Sequence, residues 1–234
     1  LRKLSGMPKK LYYIGNLPDP KKPAAAVVGA RMCSPYGRCQ AFKYARTMAS
    51  YGVQIISGMA RGIDAEGHKG ALDTDTPTFA VLGSGVDVCY PNSNRWLYQR
   101  ILEKGGGIIS ELPPGSPPVN WAFPARNRII SGLSDAVLVV EAKEQSGSLI
   151  TANFALEHGH SVYALPGAVT EELSRGCNKL DLVYSGLDLR PENLDNLIRK
   201  TGFSASKVCA LLTELQLMGL VGETGRQYYR ISGG

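Results

Sequence analysis

The chain has 234 residues, a formal net charge of +6, 44% hydrophobic and 20% charged residues. Its length predicts one large domain followed by a small one. No run approaches the roughly 18 apolar residues of a membrane span, so we expect no membrane segment. The five cysteines are scattered without a C-x-x-C pair, and the three histidines include no i, i+4 pair. We therefore expect a protein of the reducing cytoplasm without a metal site.

Positive charge is concentrated at the start of the chain. Residues 1–50 carry ten Lys or Arg against the single acid Asp19, a net charge of +9. Since the whole chain has +6, residues 51–234 together have −3. Such a distribution suits a polyanionic partner. For the lysines of the first 22 residues alone, a solvated surface segment is the simpler interpretation. Residues 1–20 are interpreted as the tail of an upstream segment.

Six continuous apolar runs recur at intervals that suit helical crossovers. Unbroken runs of this kind are typical of parallel strands that are buried on both faces. Between the first two, Ser34 and Pro35 predict the start of a helix over 36–51. The alternation predicts an α/β fold with a Rossmann-like, doubly wound, mainly parallel sheet. The predicted strands cover 24–30, 53–58, 78–85, 107–110, 136–142 and 161–167.

From about residue 187 the pattern changes to helix, turn, helix and hairpin. Helices are predicted over 191–200 and 204–218, and the hairpin turns at 223–225. This order predicts a small winged-helix domain. Its second helix carries one cation, Lys207, and its apolar residues are better explained as core than as interface. We therefore expect domains at 1–186 and 187–234, the second a docking module more than a reader of duplex DNA.

Most predicted strands end in Gly or Ser, as Gly29, Ser57, Gly58 and Gly167 show. In a parallel sheet these ends form one edge, called here the carboxyl edge, where helix N-termini and backbone N–H groups can receive phosphate. Repetition along that edge favours a long anionic ligand. Glycine also serves strand-to-helix turns for structural reasons alone.

The densest motif is SGMARGID, which follows the second predicted strand. It places Arg61 beside a helix start, where a guanidinium and backbone donors can share a phosphate. Gly62 belongs to the same turn. Asp64 either orients Arg61 or caps the helix, and His68 is placed to hydrogen-bond to Asp64. The absence of G-K-[ST] argues against nucleotide hydrolysis.

Three other segments add candidate ligands for a polyanion. Arg31 follows the first strand, whose sequence does not match G-x-G-x-x-G, so we expect no dinucleotide and no other cofactor. A Ser-Gly-Ser turn opens a later helix. The segment FPARNR offers a ring for base stacking, two cations and an amide. The residues of the last two segments are Ser146, Gly147, Ser148, Phe123, Arg126, Asn127 and Arg128.

Taken in order, VVGAR, SGMARGID with HKGAL, AVLGSGVDVCYP, FPARNRIISGLS and SGSLITA closely resemble the DprA/Smf family over residues 11–178. The resemblance implies a protein that binds single-stranded DNA without cleaving it, forms dimers and loads the recombinase RecA during natural transformation. It also implies a DNA pocket formed by Gly29, Arg31, Ser57, Gly58, Arg61, Asp64, Arg128, Ser146, Gly147 and Ser148. The chain differs from the family pattern at Gln145, where family members often have Lys. It also differs after residue 178, where the family usually continues with a short L-I-x-x-G-A phrase.

Two other classes of function compete with this interpretation. The lysine-decarboxylase-like group cleaves nucleotide N-glycosidic bonds on a similar sheet, with a catalytic Glu where this chain has Thr151. A pure adaptor that acts through its winged helix would not need the arginines at the carboxyl edge. We therefore expect a binding protein and not an enzyme.

Overall fold

The computed structural model describes residues 6–166, 172–177, 192–217, 221–224 and 227–230. It divides the chain into two compact units, Leu1–Gly176 and Cys177–Gly234. The boundary predicted after residue 186 lies outside the described residues, as does Gly167, and both stay predictions. No helix in the described ranges is long and apolar enough to cross a membrane.

The first unit is built on a seven-stranded sheet in the order β1-β5-β4-β3-β2-β6-β7. All neighbouring strands are parallel except β1, which pairs antiparallel with β5. The six predicted strands are present. Five of them are shorter than predicted, because the Gly and Ser residues at their ends belong to turns and not to the hydrogen-bonded strands. The sheet consists of β1 Tyr12–Gly15, β2 Ala24–Val28, β3 Gln54–Ser57, β4 Thr78–Leu82, β5 Gly107–Ser110, β6 Ala136–Val139 and β7 Ser161–Ala164.

Strand β1 was not among the predicted strands, and it lies in the segment 1–20 that was interpreted as the tail of an upstream segment. Tyr12 pairs with Ser110 and Gly15 with Gly107, which adds the segment to the edge of the sheet. Tyr13 and Ile14 remain exposed because β1 lies at that edge. The burial pattern that identifies central strands is therefore missing here.

In the described part of the first unit, five helices cover the sheet. Chain order steps from β2 through β3 and β4 to β5 in one direction, whereas β6 to β7 steps the opposite way. Right-handed crossovers then place α1 to α3 on one face and α4 and α5 on the other, and α4 packs on α5. The helices are α1 Pro35–Ser50, α2 Ile63–Leu72, α3 Arg95–Glu103, α4 Ala122–Gly132 and α5 Gly147–Glu157.

The core is filled by small and branched side chains. Helix α1 buries Ala41, Ala45 and Ala49 against Val27 and Ile55 of the sheet. Alanine at this spacing forms one helix face and permits a close approach to the strands. Short side chains in α1 thus fix how closely it packs on the strands that form the carboxyl edge.

The second unit has the predicted winged-helix elements. A three-stranded antiparallel sheet in the order β8-β10-β9 accompanies two helices, which bury Leu197, Val208, Leu211 and Leu212. This burial agrees with the prediction that the apolar residues of the second helix form a core. The elements are β8 Glu192–Asn193, α6 Leu194–Thr201, α7 Ala205–Leu217, β9 Val221–Thr224 and β10 Gln227–Arg230.

Candidate nucleic-acid interface

The first cavity lies where the direction of the sheet's connections reverses. Strand β2 leads into its helix toward β3, and its neighbour β6 leads the opposite way toward β7. Open α/β sheets bind ligands in the crevice outside such strand ends. A cavity of about 250 Å³, called here the switch cavity, occupies this place. Its lining includes Gly29, Arg31, Asp64, Phe123, Arg126, Asn127, Ser146, Gly147, Ser148 and Thr151.

A second cavity of about 480 Å³, called here the lateral cavity, adjoins the first at the ends of β3 and β4. The two cavities share Arg31, Ala60, Phe123 and Arg126 in their walls. The carboxyl edge therefore carries a continuous concave surface larger than either cavity. The remaining lining of the lateral cavity is Met32, Gly58, Arg61, Cys89, Tyr90, Pro91, Asn92 and Ser93.

The wall between the cavities is aromatic and cationic. The Arg31 guanidinium carbon lies 5.6 Å from the centroid of the Phe123 ring, within the range of a cation–π contact. The Tyr90 ring lies 5.3 Å from the Phe123 ring, tilted by 37°. This arrangement places a charge suited to phosphate next to rings suited to bases.

Arg31 and Arg61 supply accessible positive charge. Both side chains are exposed, and neither forms a salt bridge within the described ranges. An unneutralised guanidinium keeps its donors for an incoming anion and can bind phosphate bidentately. These two residues confirm that the sequence pattern brings cations to the carboxyl edge.

Arg126 has a different environment from the one its sequence position suggested. It is buried, its Nη1 donates to the carbonyl oxygens of Gly58 and Val81, and its Nε donates to Asn127 Oδ1 at 3.1 Å. Burial lowers the pKa of Arg126 to about 10, although the nearby Asp64 carboxylate raises it. Arg126 therefore ties α4 to the ends of β3 and β4 beneath the cavities.

Gly58 makes this position of Arg126 possible. A Cβ atom at Gly58 would collide with the Arg126 guanidinium. The glycine predicted at this strand end is thus needed for a close side-chain approach. The approach adds a buried positive charge to the floor of the lateral cavity.

Asp64 is buried and does not pair with Arg61 in the described structure. Its Oδ2 accepts a hydrogen bond from the Gly58 N–H at 3.1 Å. Burial raises the pKa of Asp64, and the charge of Arg126 opposes that rise. Asp64 therefore supports the turn after β3. Neither predicted alternative is observed, since Asp64 does not pair with Arg61 and α2 begins at Gly62 without a side-chain cap.

His68 does not bond to Asp64, so that expectation was wrong. Its Nδ1 lies 2.7 Å from Thr78 Oγ1, and the Thr78 hydroxyl donates to the Ile55 carbonyl. The single hydroxyl hydrogen is thereby used, so His68 Nδ1 is the donor. Burial, reinforced by Arg126, lowers the pKa of His68 to about 3. The imidazole is therefore a neutral structural group.

The N-terminus of α5 opens into the switch cavity. Ser146 caps the helix by accepting a bond from the Ser148 N–H, and the two hydroxyl oxygens lie 2.8 Å apart. The first turn holds no acidic residue, and a Cβ at Gly147 would meet open space. Asn127 Nδ2 donates to the Gly147 carbonyl at 3.1 Å and holds the turn in place. This turn has the geometry predicted for phosphate oxygens.

The N-terminus of α1 is already occupied by a carboxylate. Ser34 caps the helix as predicted, and its backbone N–H and hydroxyl both donate to the buried Glu141. A carboxylate at this position satisfies the helix dipole. The N-terminus of α5 is thus more available to an external anion than the N-terminus of α1.

Three predicted site residues lie outside both cavities. Ser57 is buried and donates to the Val27 carbonyl at 2.6 Å, and Gly62 packs against the backbone of residues 30 and 31. Arg128 Nη2 donates to both carboxylate oxygens of Glu111, at 2.7 and 2.8 Å. Positions 126 and 128 are two apart on α4, and such residues point to different sides of a helix.

The lateral cavity also contains residues that sequence reasoning did not select. Met32, Tyr90, Asn92 and Ser93 contribute to its wall. The available signal was the phrase DVCYP after a strand end, where an aromatic residue in a turn has no core to fill. Their contribution depends on how the loop after β4 folds back toward β3, which periodicity does not predict.

Comparison with known proteins agrees with this geometry. The model of the DNA recombination-mediator protein A family matches residues 1–186, and that of the DprA winged helix domain matches residues 179–224. The chain belongs to the DNA recombination-mediator protein A family. The resemblance noted from the DprA/Smf motifs is thereby confirmed.

Relatives within the family are similar over most of this chain. The DNA processing protein DprA of Streptococcus pneumoniae is 43% identical over 82% of this chain and 69% of its own length. Protein Smf of Escherichia coli is 44% identical over 81% of this chain and 51% of its own. The chain thus spans between about half and two thirds of these curated relatives.

Solved structures of family members share the fold. The S. pneumoniae DprA structure superimposes with a TM-score of 0.68 at 44% identity, over 73% of this chain and 59% of that one. A DNA processing protein A from Helicobacter pylori gives a TM-score of 0.66 at 28% identity over 90% of each chain. That H. pylori structure is described as giving insight into the protein's single-stranded DNA binding mode.

Proposed function

We propose that this protein binds single-stranded DNA along the carboxyl edge of its sheet and does not cleave it. The observation that carries the proposal is the pair of exposed arginines, Arg31 and Arg61, on the adjoining cavities. The α5 turn adds hydroxyl and N–H donors for phosphate. The family and the single-stranded DNA binding mode of the H. pylori protein support the choice of ligand.

The lining of the two cavities offers little support for N-glycosidic hydrolysis. Thr151 occupies the position where the lysine-decarboxylase-like group has its catalytic Glu. Asp64 is the one carboxylate among the lining residues, and it accepts a bond from the Gly58 N–H beneath the surface. A buried carboxyl held in this way supports the turn. We therefore propose a binding protein, with no turnover of nucleoside monophosphates or NAD.

The proposal extends to partners on the strength of family resemblance. We infer that the protein works in the cytoplasm, that its Rossmann-like domain self-associates as a homodimer, and that it contacts RecA to load that recombinase on single-stranded DNA. Cross-linking and co-purification with RecA test both associations.

The deciding experiment is a titration of labelled single-stranded and duplex DNA of equal length. We expect tighter binding to the single strand, little sequence preference, and an affinity that falls with salt at a slope of about −0.7 per neutralised phosphate. Tighter binding to duplex, or binding that ignores salt, would contradict the proposal. Free base released from nucleotides by the protein would restore the enzyme hypothesis.

A further inference from the structure

Helix α3 carries an exposed tryptophan in its first turn. Leu97 and Ile101 of this helix are fully buried in the core, whereas Trp96 is 49% exposed. The Lys69 ammonium of α2 lies 5.8 Å from the centroid of the Trp96 ring, within the range of a cation–π contact. Lys69 also pairs with Glu66 at 2.8 Å. The indole ring thus has a positioned cation beside it while half of its side chain remains open to solvent.

The segment that leads to Trp96 begins in the wall of the lateral cavity. Asn92 and Ser93 line that cavity, and Arg95 and Trp96 are the first residues of α3. Burial raises the pKa of Cys89, a residue of the cavity wall, and the positive charge of Arg95 opposes that rise. Arg95 therefore lies within electrostatic reach of the cavity. The wall continues onto what is called here the α3 surface, formed by Lys69, Arg95 and Trp96.

The start of α3 is anchored to the turn after β3. Asn94 is 9% exposed, and its Nδ2 donates to the carbonyl oxygens of Met59 and Ala60 at 2.9 and 3.3 Å. Its backbone N–H donates to the Pro91 carbonyl at 3.0 Å. The residue directly before the α3 surface is thus fixed at three points. Groups on an anchored helix start lose less conformational entropy when a ligand binds.

The α3 surface carries positive charge that is available to a polyanion. Arg95 is exposed, and among the residues that the structure describes it forms no salt bridge. The first turn of α3 contains no acidic residue, and the exposed Arg61 lies in the wall of the adjoining cavity. An aromatic ring next to unpaired cations suits an unstacked strand, because bases stack on the ring and phosphates bind the cations.

We propose that the α3 surface binds single-stranded DNA outside the two cavities, with a base stacked on Trp96 and a neighbouring phosphate bound by Arg95. The inference rests on the proposed function and extends the contact of the same strand from the lateral cavity onto the start of α3. Continuity with that cavity and the charge of Arg95 commit the surface to this ligand. A duplex would not make the stacking contact, since its bases are already paired and stacked.

Tryptophan fluorescence tests the stacking contact directly, because the chain has two tryptophans. In Trp121→Phe protein, Trp96 is the one remaining tryptophan. A saturating oligothymidylate of about 16 nucleotides, the upper end of site sizes for sequence-tolerant binding, should quench its emission. In Trp96→Phe protein, where Trp121 alone remains, the same strand should leave most of the emission unchanged. Unaltered Trp96 emission at saturation would overturn the proposal.

Binding isotherms with the same strand test the two contacts separately. Trp96→Ala should weaken binding by roughly 5- to 100-fold, the range of one stacked base, whereas Trp96→Phe keeps a ring and should lose less. The salt slope of Trp96→Ala should match wild type, because no phosphate contact is removed. Arg95→Ala should instead decrease the slope in magnitude by about 0.7. Lys104→Ala removes an exposed cation at the other end of α3 and is the matched control, with an unchanged slope expected.

Binding by the wild type separates this inference from the proposed function. If wild type bound no single strand, the proposed function would itself be wrong. If wild type bound the strand and the folded Trp96→Ala and Arg95→Ala proteins bound it equally well, the α3 surface alone would be refuted. Equal losses in Trp96→Ala and Trp96→Phe would exclude stacking. Circular dichroism confirms folding, and should Trp96→Ala not fold, the emission of Trp121→Phe and the slope of Arg95→Ala decide the question.

Discussion

At the scale of single residues, the environment of each arginine determines its function more than its presence in the sequence. Arg31 and Arg61 are exposed on the cavities, whereas Arg126 is buried beneath them and Arg128 pairs with Glu111. The motifs predicted four cations at one edge, and the structure brings two accessible ones there. The positions of Arg126 and Arg128 could not be predicted, because the motif does not show in which direction each side chain of α4 points.

Arg61→Ala should weaken single-strand binding more than Lys9→Ala or Lys22→Ala, although each change removes one positive charge. Arg61 lines the lateral cavity, whereas both lysines are exposed outside the two cavities. A positioned, charge-assisted phosphate contact contributes about 1.5–3 kcal/mol, and a mobile surface lysine contributes less because salt screens it. Binding isotherms at one salt concentration, with circular dichroism to confirm folding, provide the measurement.

Arg61→Lys is the conservative control for that change. The ammonium keeps the charge but loses the bidentate fork, so we expect only partial rescue. The salt slope of Arg61→Ala should also decrease in magnitude by about 0.7, since one phosphate contact is lost. Wild-type affinity in Arg61→Ala combined with failure of the lysine variants would place the DNA away from the carboxyl edge.

His68 should make the fold less stable as the solution becomes acidic. Its folded pKa of about 3 lies below the unfolded value near 6.5, so only the unfolded state takes up a proton as pH falls through that window. Between pH 7.5 and 5.0, His68 alone should lower the unfolding free energy by about 2 kcal/mol. Urea unfolding at the two pH values measures it.

His68→Asn is the control, since it keeps a donor for Thr78 but cannot titrate. The variant should show a smaller loss between the two pH values. Asp64, whose raised pKa acts in the opposite direction, is present in both proteins and cancels in the comparison. Equal losses in both proteins would mean that His68 is not buried in its neutral form.

At the scale of elements, apolar runs predicted six of the seven strands of the large sheet. Strands β2 to β5 are buried on both faces, as that pattern indicates, whereas β7 at the other edge is exposed at Ser161 and Tyr163. The same rule missed β1, whose Tyr13 and Ile14 are exposed at the edge of the sheet. The predicted cap of α1, Ser34, was correct because capping depends on local chemistry. The Ser-Gly-Ser turn opens α5 as predicted, and the structure adds that Ser146 is its cap. Contacts between distant elements, such as Arg126 with the end of β3, were not predictable from local pattern.

Gly58→Ala tests how α4 is tied to the strand ends. The added methyl group would collide with the Arg126 guanidinium, whose bonds to Gly58 and Val81 hold α4 against β3 and β4. Overpacking of this kind typically costs about 1–3 kcal/mol of unfolding free energy. We expect a lower urea midpoint for Gly58→Ala and also weaker DNA binding, since the floor of the lateral cavity must shift.

Gly147→Ala is the matched control, because it alters another glycine of the site without a collision. Its Cβ would meet open space at the first position of α5, so stability should change by less than about 1 kcal/mol in either direction. If Gly58→Ala unfolded at the wild-type midpoint, Arg126 would be free to move, and the tie between α4 and the strand ends would be wrong.

At the scale of the whole molecule, the described candidate site belongs to one unit. All residues that line the two cavities fall between Val28 and Thr151, within the unit Leu1–Gly176. The excess of positive charge in residues 1–50 also belongs to this unit. The winged helix buries its apolar residues in a core of its own. Single-strand binding should therefore not require the second unit.

Deleting residues 187–234 should leave single-strand affinity within about threefold of the full chain, a change below about 0.7 kcal/mol. The salt slope should also be unchanged, because the arginines and the α5 turn that we propose as phosphate ligands are all retained. Circular dichroism and urea unfolding establish that the shortened chain is folded before titration. The full chain with Arg61→Ala supplies the comparison for a genuine loss of contact. A folded truncation that lost nearly all binding would show that the winged helix carries the DNA contact, and the carboxyl edge would then need another ligand.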